Sequence, residues 1–551
     1  MSKINELKST LYMKINTTED VSRIRNCFEK CDREQLLSWT DKNGYDILHH
    51  AIMSENIEAV GIIFALGHFK PPHEPKFHSY IHLAANFGNR TIVAMLLQER
   101  PRDYSTKKTK FKWVNPPTEA PQYSSDGTSM ATPLDVAAES GHVACVRSIL
   151  DVSSVKTKLE FGSDNHLSAA CASNSPSALR LLLKQKTSSD DLKSAVGTAL
   201  KLANAECLDV LLRCNPSLAS LFSGMNLYHV LYSYSLSFKK EWYESLLTVT
   251  SVLLKYKQNP VVNIPFRTYP LYSLLSHTPA SDFGKSSPYI VACMVVLLNA
   301  GVDPNFNEVK FEAEHESLQI QSAFGRSAYP SALHCLYDNV TTLVRHFEDD
   351  ATNIKRFVTK CTETLLRHGV DPSIRGPIGD MPSSLVGNAL HAFLKVSILL
   401  GLDERSITVF RLLMQNGSDP NENVSGKYPL NTFCDEILTH SKRFEKLPKS
   451  EETAQSEYVR EVAVTLLDNM TMSSVSSACK VEFGGKPIHE LQKKLFKTCK
   501  DEMQKRSSTV WNLKVLCRLS ILQACEWQST KVVELPIPTA LKKYINLNHV
   551  D

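Results

Sequence analysis

The chain has 551 residues, 42% of them hydrophobic and 22% charged, with a formal net charge of +4. That is the make-up of folded protein, long enough for several domains or one repeat array, and it excludes a disordered chain. So small a charge does not imply nucleic acid or an anionic membrane as a partner, and the longest apolar runs, such as Tyr289 to Leu298, are too short to span a bilayer. The opening MSKINELKST has no apolar core and is expected not to be a secretory signal. The 14 cysteines stand singly except for Cys27 and Cys31, so no zinc-type set is completed. Reduced, mostly buried thiols in an intracellular protein are expected, with no cofactor and no metal.

Residues 1–40 read as a helical cap, centred on DVSRIRNCFEKCDREQLLSW from Asp20. The chain then repeats itself. Four segments, from Asn43, His78, Met130 and Asn165, align a leucine or isoleucine with an alanine three residues on: Leu48/Ala51, Ile81/Ala84, Leu134/Ala137 and Leu167/Ala170. Nine residues after each alanine comes Val60, Val93, Val146 or Leu179, and three further on an apolar pair such as Leu96-Leu97. The polar position recurs at 49, 82, 135, 168 and 201, in steps of 33, 53, 33 and 33, the long step holding twenty extra residues. This register aligns Ala203 with the four alanines, and the repeat after it reads about one turn short.

Apolar residues at helical spacing, with a small alanine where two helices approach, predict helical hairpins. Thr132-Pro133 supplies a capping hydroxyl and a first-turn proline, and Gly88 and Gly141 end first helices so that second helices can return. Hairpins this short cannot bury their own faces and must stack.

After residue 212 the openings continue around His229, Tyr272, His334, His391, Asn431 and His489, spaced irregularly by 28, 43, 62, 57, 40 and 58 residues. Long second helices or loop insertions are expected, above all at 307–330, 340–356 and 435–456. Closing motifs recur as LLNAGVDPN from Leu297, LLRHGVDPS from Leu365 and LLMQNGSDPN from Leu412. Each ends a helix at glycine and turns on Asp-Pro.

The period, the TPLH-like openings and the leucine pairs resemble the ankyrin repeat. The resemblance implies an all-α solenoid: regular repeats at 41–215 with an insertion at about 101–128, irregular repeats at 216–500, and eleven openings in all. Such a stack is more often a binding surface than an active site.

Motifs of catalysis are not completed. The repeat histidines His49, His82, His334, His391 and His489 are expected to bond backbone in the adjoining turn. Phe283-Gly284-Lys285-Ser286 echoes the end of a phosphate-binding loop, but Pro279 stands where its first glycine belongs. Asp282-Phe283-Gly284 matches a kinase triplet without the catalytic loop that must precede it. Lys107, Lys108, Lys110 and Lys112 beside Trp113 read as a solvated loop, with a partner contact as the alternative.

The end of the chain differs. A charged helix, QKKLFKTCKDEMQKR, precedes WNLKVLCRLSILQAC, where Leu513, Cys517 and Ile521 fall at i, i+4 and i+8 with Leu516 beside them. Then Leu535-Pro536-Ile537-Pro538 puts two prolines into an apolar run, which no helix interior or central strand accepts. These two motifs, in this order and followed by Leu541…Tyr544-Ile545, resemble a SOCS box at about 507–551. Ankyrin arrays ending in one resemble the ankyrin repeat and SOCS box family; Asn512 departs from the Ser, Thr or Pro favoured there.

The resemblance implies that Leu513, Leu516, Cys517 and Ile521 bind elongin C, with elongin B, and that Leu535, Pro536, Ile537 and Pro538 bind cullin-5 with its RING partner. It implies a substrate receptor of a ubiquitin ligase, without catalytic residues, in the cytoplasm and, as an open alternative, the nucleus. Its target protein would sit on the ankyrin surface. Three other readings stay open: a non-catalytic ankyrin scaffold or inhibitor whose last helix only caps the stack, an elongin binder without a cullin, and an enzyme hidden in the irregular half.

Overall fold

The computed structural model describes residues 2–12, 18–66, 79–99, 109–112, 128–156, 166–185, 187–216, 218, 227–233, 240–256, 269–276, 283–306, 329–375, 387–424, 426–440, 452–479, 490–508 and 542. They fall into two compact units, 1–223 and 224–551.

The first unit opens with three helices, α1 (Ser2–Leu11), α2 (Thr18–Glu29) and α3 (Arg33–Ser38), where the sequence suggested one capping helix. Asp32 caps α3 by accepting from the Glu34 and Gln35 amides. Hairpins follow: α4 (Ile47–Met53) with α5 (Ile57–Ala65), and α6 (Tyr80–Phe87) with α7 (Arg90–Glu99). Next comes a two-stranded antiparallel ribbon, β1 (Thr109–Lys112) and β2 (Thr128–Ala131), set in the expected insertion. It is the one strand pair among the described residues of an otherwise helical molecule. The hairpins resume with α8 (Pro133–Glu139) and α9 (Val143–Lys156), α10 (His166–Ala172) and α11 (Pro176–Leu182), α12 (Ser189–Lys201) and α13 (Ala205–Cys214). First helices stack on first helices and second on second, while α1 and α2 lie against α4 and α5.

One backbone bond defines the register. The amide of Asn56 donates to Ala51, Asn89 to Ala84, His142 to Ala137, Ser175 to Ala170 and Asn204 to Ala199, at 2.8–3.3 Å. Just before each donor sits a left-handed residue: Glu55, Gly88, Gly141, Asn174 and Ala203. This is the six-to-one closure of a Schellman turn. It corrects the fifth repeat: Ala199, not Ala203, stands in register. Leu208 then falls nine residues on and Leu211-Leu212 after it, all buried, so the repeat is not short. Ala203 is the turn residue, a role the period alone could not distinguish because both positions hold alanine.

The second unit keeps the stacking with longer helices. Its pairs are α14 (Leu227–Ser233) with α15 (Lys240–Lys255), α16 (Pro270–Leu275) with α17 (Phe283–Asn299), and α18 (Ala332–His346) with α19 (Ala351–Arg367). Then come α20 (Ala389–Leu400) with α21 (Glu404–Gln415), and α22 (Pro429–Thr439) with α23 (Glu452–Asn469). The region 340–356, expected as a long second helix or an insertion, is mostly the end of a long first helix and the start of the next. No turn-forming residue follows six positions after His334, where Val340 continues the helix. Phe283 to Ser286 lies in the first turn of α17, not in a strand-to-helix loop.

The second helices end as their glycines dictate. Val302 donates to Leu297, Val370 to Leu365 and Ser418 to Leu413, across Gly301, Gly369 and Gly417 at positive φ. Asp303, Asp371 and Asp419 then each accept the amide two residues on, at 2.8–2.9 Å, which makes the Asp-Pro turn.

Two further helices, α24 (Met472–Cys479) and α25 (Glu490–Ser508), are the last among the described residues of this unit. The charged α25 lies against α22, α23 and α24 and buries Leu495, Cys499 and Met503. No helix among the described residues is long and apolar enough to cross a membrane.

Candidate functional site

A row of side chains joins each repeat to the next. His82 Nε2 donates to the Ala131 carbonyl (2.9 Å), His334 Nε2 to Gly387 (2.9 Å) and His391 Nε2 to Glu422 (3.3 Å). Ser79 and Ser331 hydroxyls donate to Nδ1 of His82 and His334, which fixes the tautomer. Tyr272 takes the same position in its repeat and donates to the Phe306 carbonyl, and Asn431 Nδ2 donates to Ala478 (3.0 Å). A sequence reader sees three residue types here; the backbone sees one donor, aimed at the next turn. His49 instead pairs with Asp46 Oδ1 (2.8 Å), which also accepts from the Tyr80 hydroxyl through its other oxygen. His489 lies outside the described residues.

These histidines are spent on structure. Burial pushes His334 down to about 4 and His391, with Lys395 nearby, down to about 3. Both are neutral at physiological pH, with both ring nitrogens of His334 occupied. No group of three His, Cys, Asp or Glu suited to a metal occurs among the described residues, and the described cysteines are free thiols. Burial raises the thiols of Cys145 to about 11 and Cys293 to about 12, the opposite of what a nucleophile needs.

What the repeats present outward is charge. One turn beyond the donor position, α18, α20 and α22 carry Asp338, Lys395 and Asp435, all part-exposed and alternating in sign. Tyr329 donates to Asp338 (3.1 Å) and Lys427 to Asp435 (2.6 Å), so both acids are held in place. Burial brings Lys395 down to about 8. The sequence reading missed this row. Its signal was a charged residue four positions after each of His334, His391 and Asn431.

The second candidate surface follows α25 directly. Leu513, Leu516, Cys517 and Ile521, and likewise Leu535, Pro536, Ile537 and Pro538, lie outside the described residues, as do Lys107, Lys108 and Trp113. What the structure adds is the state of the helix before them. Leu495, Cys499 and Met503 are spaced as Leu513, Cys517 and Ile521 are, and they are the stripe that α25 buries against the helices before it.

Residues 509–546 match the SOCS box family. No curated protein sequence matches the chain. Among solved structures, the human ASB11 ankyrin repeat domain is similar at 18% identity, over 46% of this chain and 90% of that one, with a TM-score of 0.27. The ankyrin repeat domain of Bcl-3, a member of the IkappaB family, is similar at 16% identity, over 42% and 94%, with a TM-score of 0.28. A SOCS box marks a substrate receptor of elongin B–C and cullin ubiquitin ligases, ankyrin repeats bind protein, and proteins that combine them are generally ligase adaptors rather than catalysts. The described residues thus form stacked helical hairpins closed by Schellman turns and Asp-Pro fingers, in a chain whose residues 509–546 match the SOCS box.

Proposed function

We propose that this protein recruits a target to an elongin B–C, cullin-5 and RING ligase, holding the target on its repeats while the SOCS box docks both partners. The observation that carries the reading is the family match over 509–546, which spans both motifs. The helix before it supports the reading, since Leu495, Cys499 and Met503 already pack α25 onto α22, α23 and α24. In this reading Leu513 seats in an apolar pocket of elongin C, with Leu516, Cys517 and Ile521 packed behind it. Burying such a leucine is worth roughly 1.5–3 kcal/mol before ordering costs. Leu535 and Ile537 make apolar contact with cullin-5 on a backbone that Pro536 and Pro538 stiffen, so little entropy is lost on binding.

The target contacts the row of Asp338, Lys395 and Asp435 on the first helices. Holding it there converts transfer of ubiquitin from a conjugating enzyme to a lysine of the target into a proximity effect. The chain divides accordingly into an N-terminal cap to residue 40, repeats from 41 to about 500, and a docking module from about 507.

The test is co-purification of the full chain with elongin B–C and cullin-5. Leu513→Ala with Cys517→Ala is expected to lose both partners, and Pro536→Ala with Pro538→Ala only the cullin. Failure of the intact, folded chain to capture elongin B–C sinks the reading and leaves an ankyrin scaffold.

A further inference from the structure

The row on the first helices holds one charge that the chain leaves unanswered. Lys395 lies on α20, one turn after His391, and is only part-exposed. Lys355, also part-exposed, meets Asp403 at 2.9 Å. Lys395 has no ion pair and no hydrogen bond among the described residues. Its charged neighbours are already engaged. Glu436, the opposite charge that acts on it, lies 3.0 Å from His440 Nε2, and Lys427, which repels it, is held by Asp435 at 2.6 Å. On α18, Asp338 accepts from Tyr329 at 3.1 Å.

An amine partly out of water and without a counter-ion destabilises the folded chain, and burial brings this one down to about 8. The rings on the same face supply no charge to offset it, because His334 and His391 are neutral at physiological pH. An apolar side chain of the same length would pack here without that cost. The flanks restrict which anion fits. α18 and α22 stack on either side of α20, so Asp338 and Asp435 stand about one helix spacing, ~10 Å, from Lys395. A polyanion laid across the row meets both acids, whereas a single carboxylate meets only the lysine.

We propose that Lys395 anchors one acidic side chain of the target, an inference that deepens the receptor reading above and rests on it. The target's carboxylate and the amine form a charge-assisted ion pair, and the target residues that pass Asp338 and Asp435 are basic or uncharged. In an extended segment, at about 3.3 Å per residue, those are the residues about three positions to either side of the acid. The alternation of sign along α18, α20 and α22 therefore sets register as well as affinity. A segment displaced by one repeat brings its acid against Asp338 or Asp435, and like charges reject it.

The test pans a displayed library of random peptides on the full chain and measures the selected peptides against variants. They are expected to share an acidic residue. Changing that residue to its amide should weaken binding to the intact chain about tenfold and leave binding to Lys395→Met unaltered. Lys395→Arg should keep most of the affinity. Lys395→Met is expected to unfold at no lower temperature than the intact chain, since it removes an uncompensated charge and keeps the stem. Peptides that bind Lys395→Met as tightly as the intact chain, or bind no worse as amides, overturn the proposal. So does heparin that binds the intact chain and not Lys395→Met, which assigns the amine to a polyanion. A chain that selects acidic peptides through Lys395 yet captures no elongin B–C fails differently, by removing the receptor reading alone.

Discussion

The two units build stacked hairpins but mark their register at opposite ends of the second helix. In the first, short inner helices such as Ile47–Met53 and His166–Ala172 stop at a left-handed residue before the second helix starts. In the second, three inner helices run on, Ala332–His346, Ala389–Leu400 and Pro429–Thr439, and the left-handed residue closes the outer helix at Gly301, Gly369 and Gly417. The first unit tolerates Glu55, Asn174 and Ala203 in that conformation, whereas the second uses glycine at all three outer closures. A left-handed non-glycine residue costs roughly 1–2 kcal/mol. The first unit therefore stores strain that its stacking contacts hold, and the second avoids it locally.

That contrast can be broken most sharply at the inter-repeat donors. His334→Ala removes both ring bonds and leaves the Gly387 carbonyl unpaired in a buried site, so a loss of about 3 kcal/mol is expected in urea unfolding. A loss below 1 kcal/mol would mean the donor row does not hold the second unit together.

Glycine closures give the next largest effects, and they differ by surroundings. A Cβ on Gly88 would come within 2.7 Å of three ring atoms of His142, whose Nε2 donates to Asn86. A Cβ on Gly369 meets nothing within 4 Å. Gly88→Ala should cost about 2–3 kcal/mol and Gly369→Ala only the conformational 1–2. Equal losses would show that packing over Gly88 yields freely.

Acid should act on the second unit through three groups. His334 and His391 are held far below their usual range, so their neutral forms stabilise the fold above pH 6.5 and that contribution falls as pH drops toward 4. Burial raises Glu422 to about 7, so its protonated form adds stability as pH falls from 7 to 4.5. Between pH 6.5 and 4.5 two losses meet one gain. The net is about one proton, roughly 1 kcal/mol per pH unit. Glu422→Gln should steepen the decline seen by denaturation across that window; an unchanged slope would refute the assignment.

The smallest effect tests the corrected register. Ala203→Gly relieves a left-handed alanine and should raise stability by about 0.5–1 kcal/mol, whereas a substitution inside a helix would lower it. A higher melting temperature supports Ala199 as the register alanine, and a lower one returns that role to Ala203.

Residue types alone determined much of this protein: the helical hairpins, from apolar spacing and capping residues such as Thr132-Pro133, and the finger turns, from Gly-x-Asp-Pro. The SOCS box, matched over 509–546, was legible too, in the spacing of Leu513, Cys517 and Ile521 and in the prolines of LPIP, because a short linear motif carries its pattern in order. Tertiary structure decided what periodicity leaves degenerate. Ala199 and Ala203 are four apart, one helical turn, so only the backbone bond from Asn204 separates core from turn. Tyr272, His334 and Asn431 share no side-chain class, and only their aim at a neighbouring carbonyl unites them. The two faces of α25 become distinct only when α22, α23 and α24 bury Leu495, Cys499 and Met503 and leave the lysines outside.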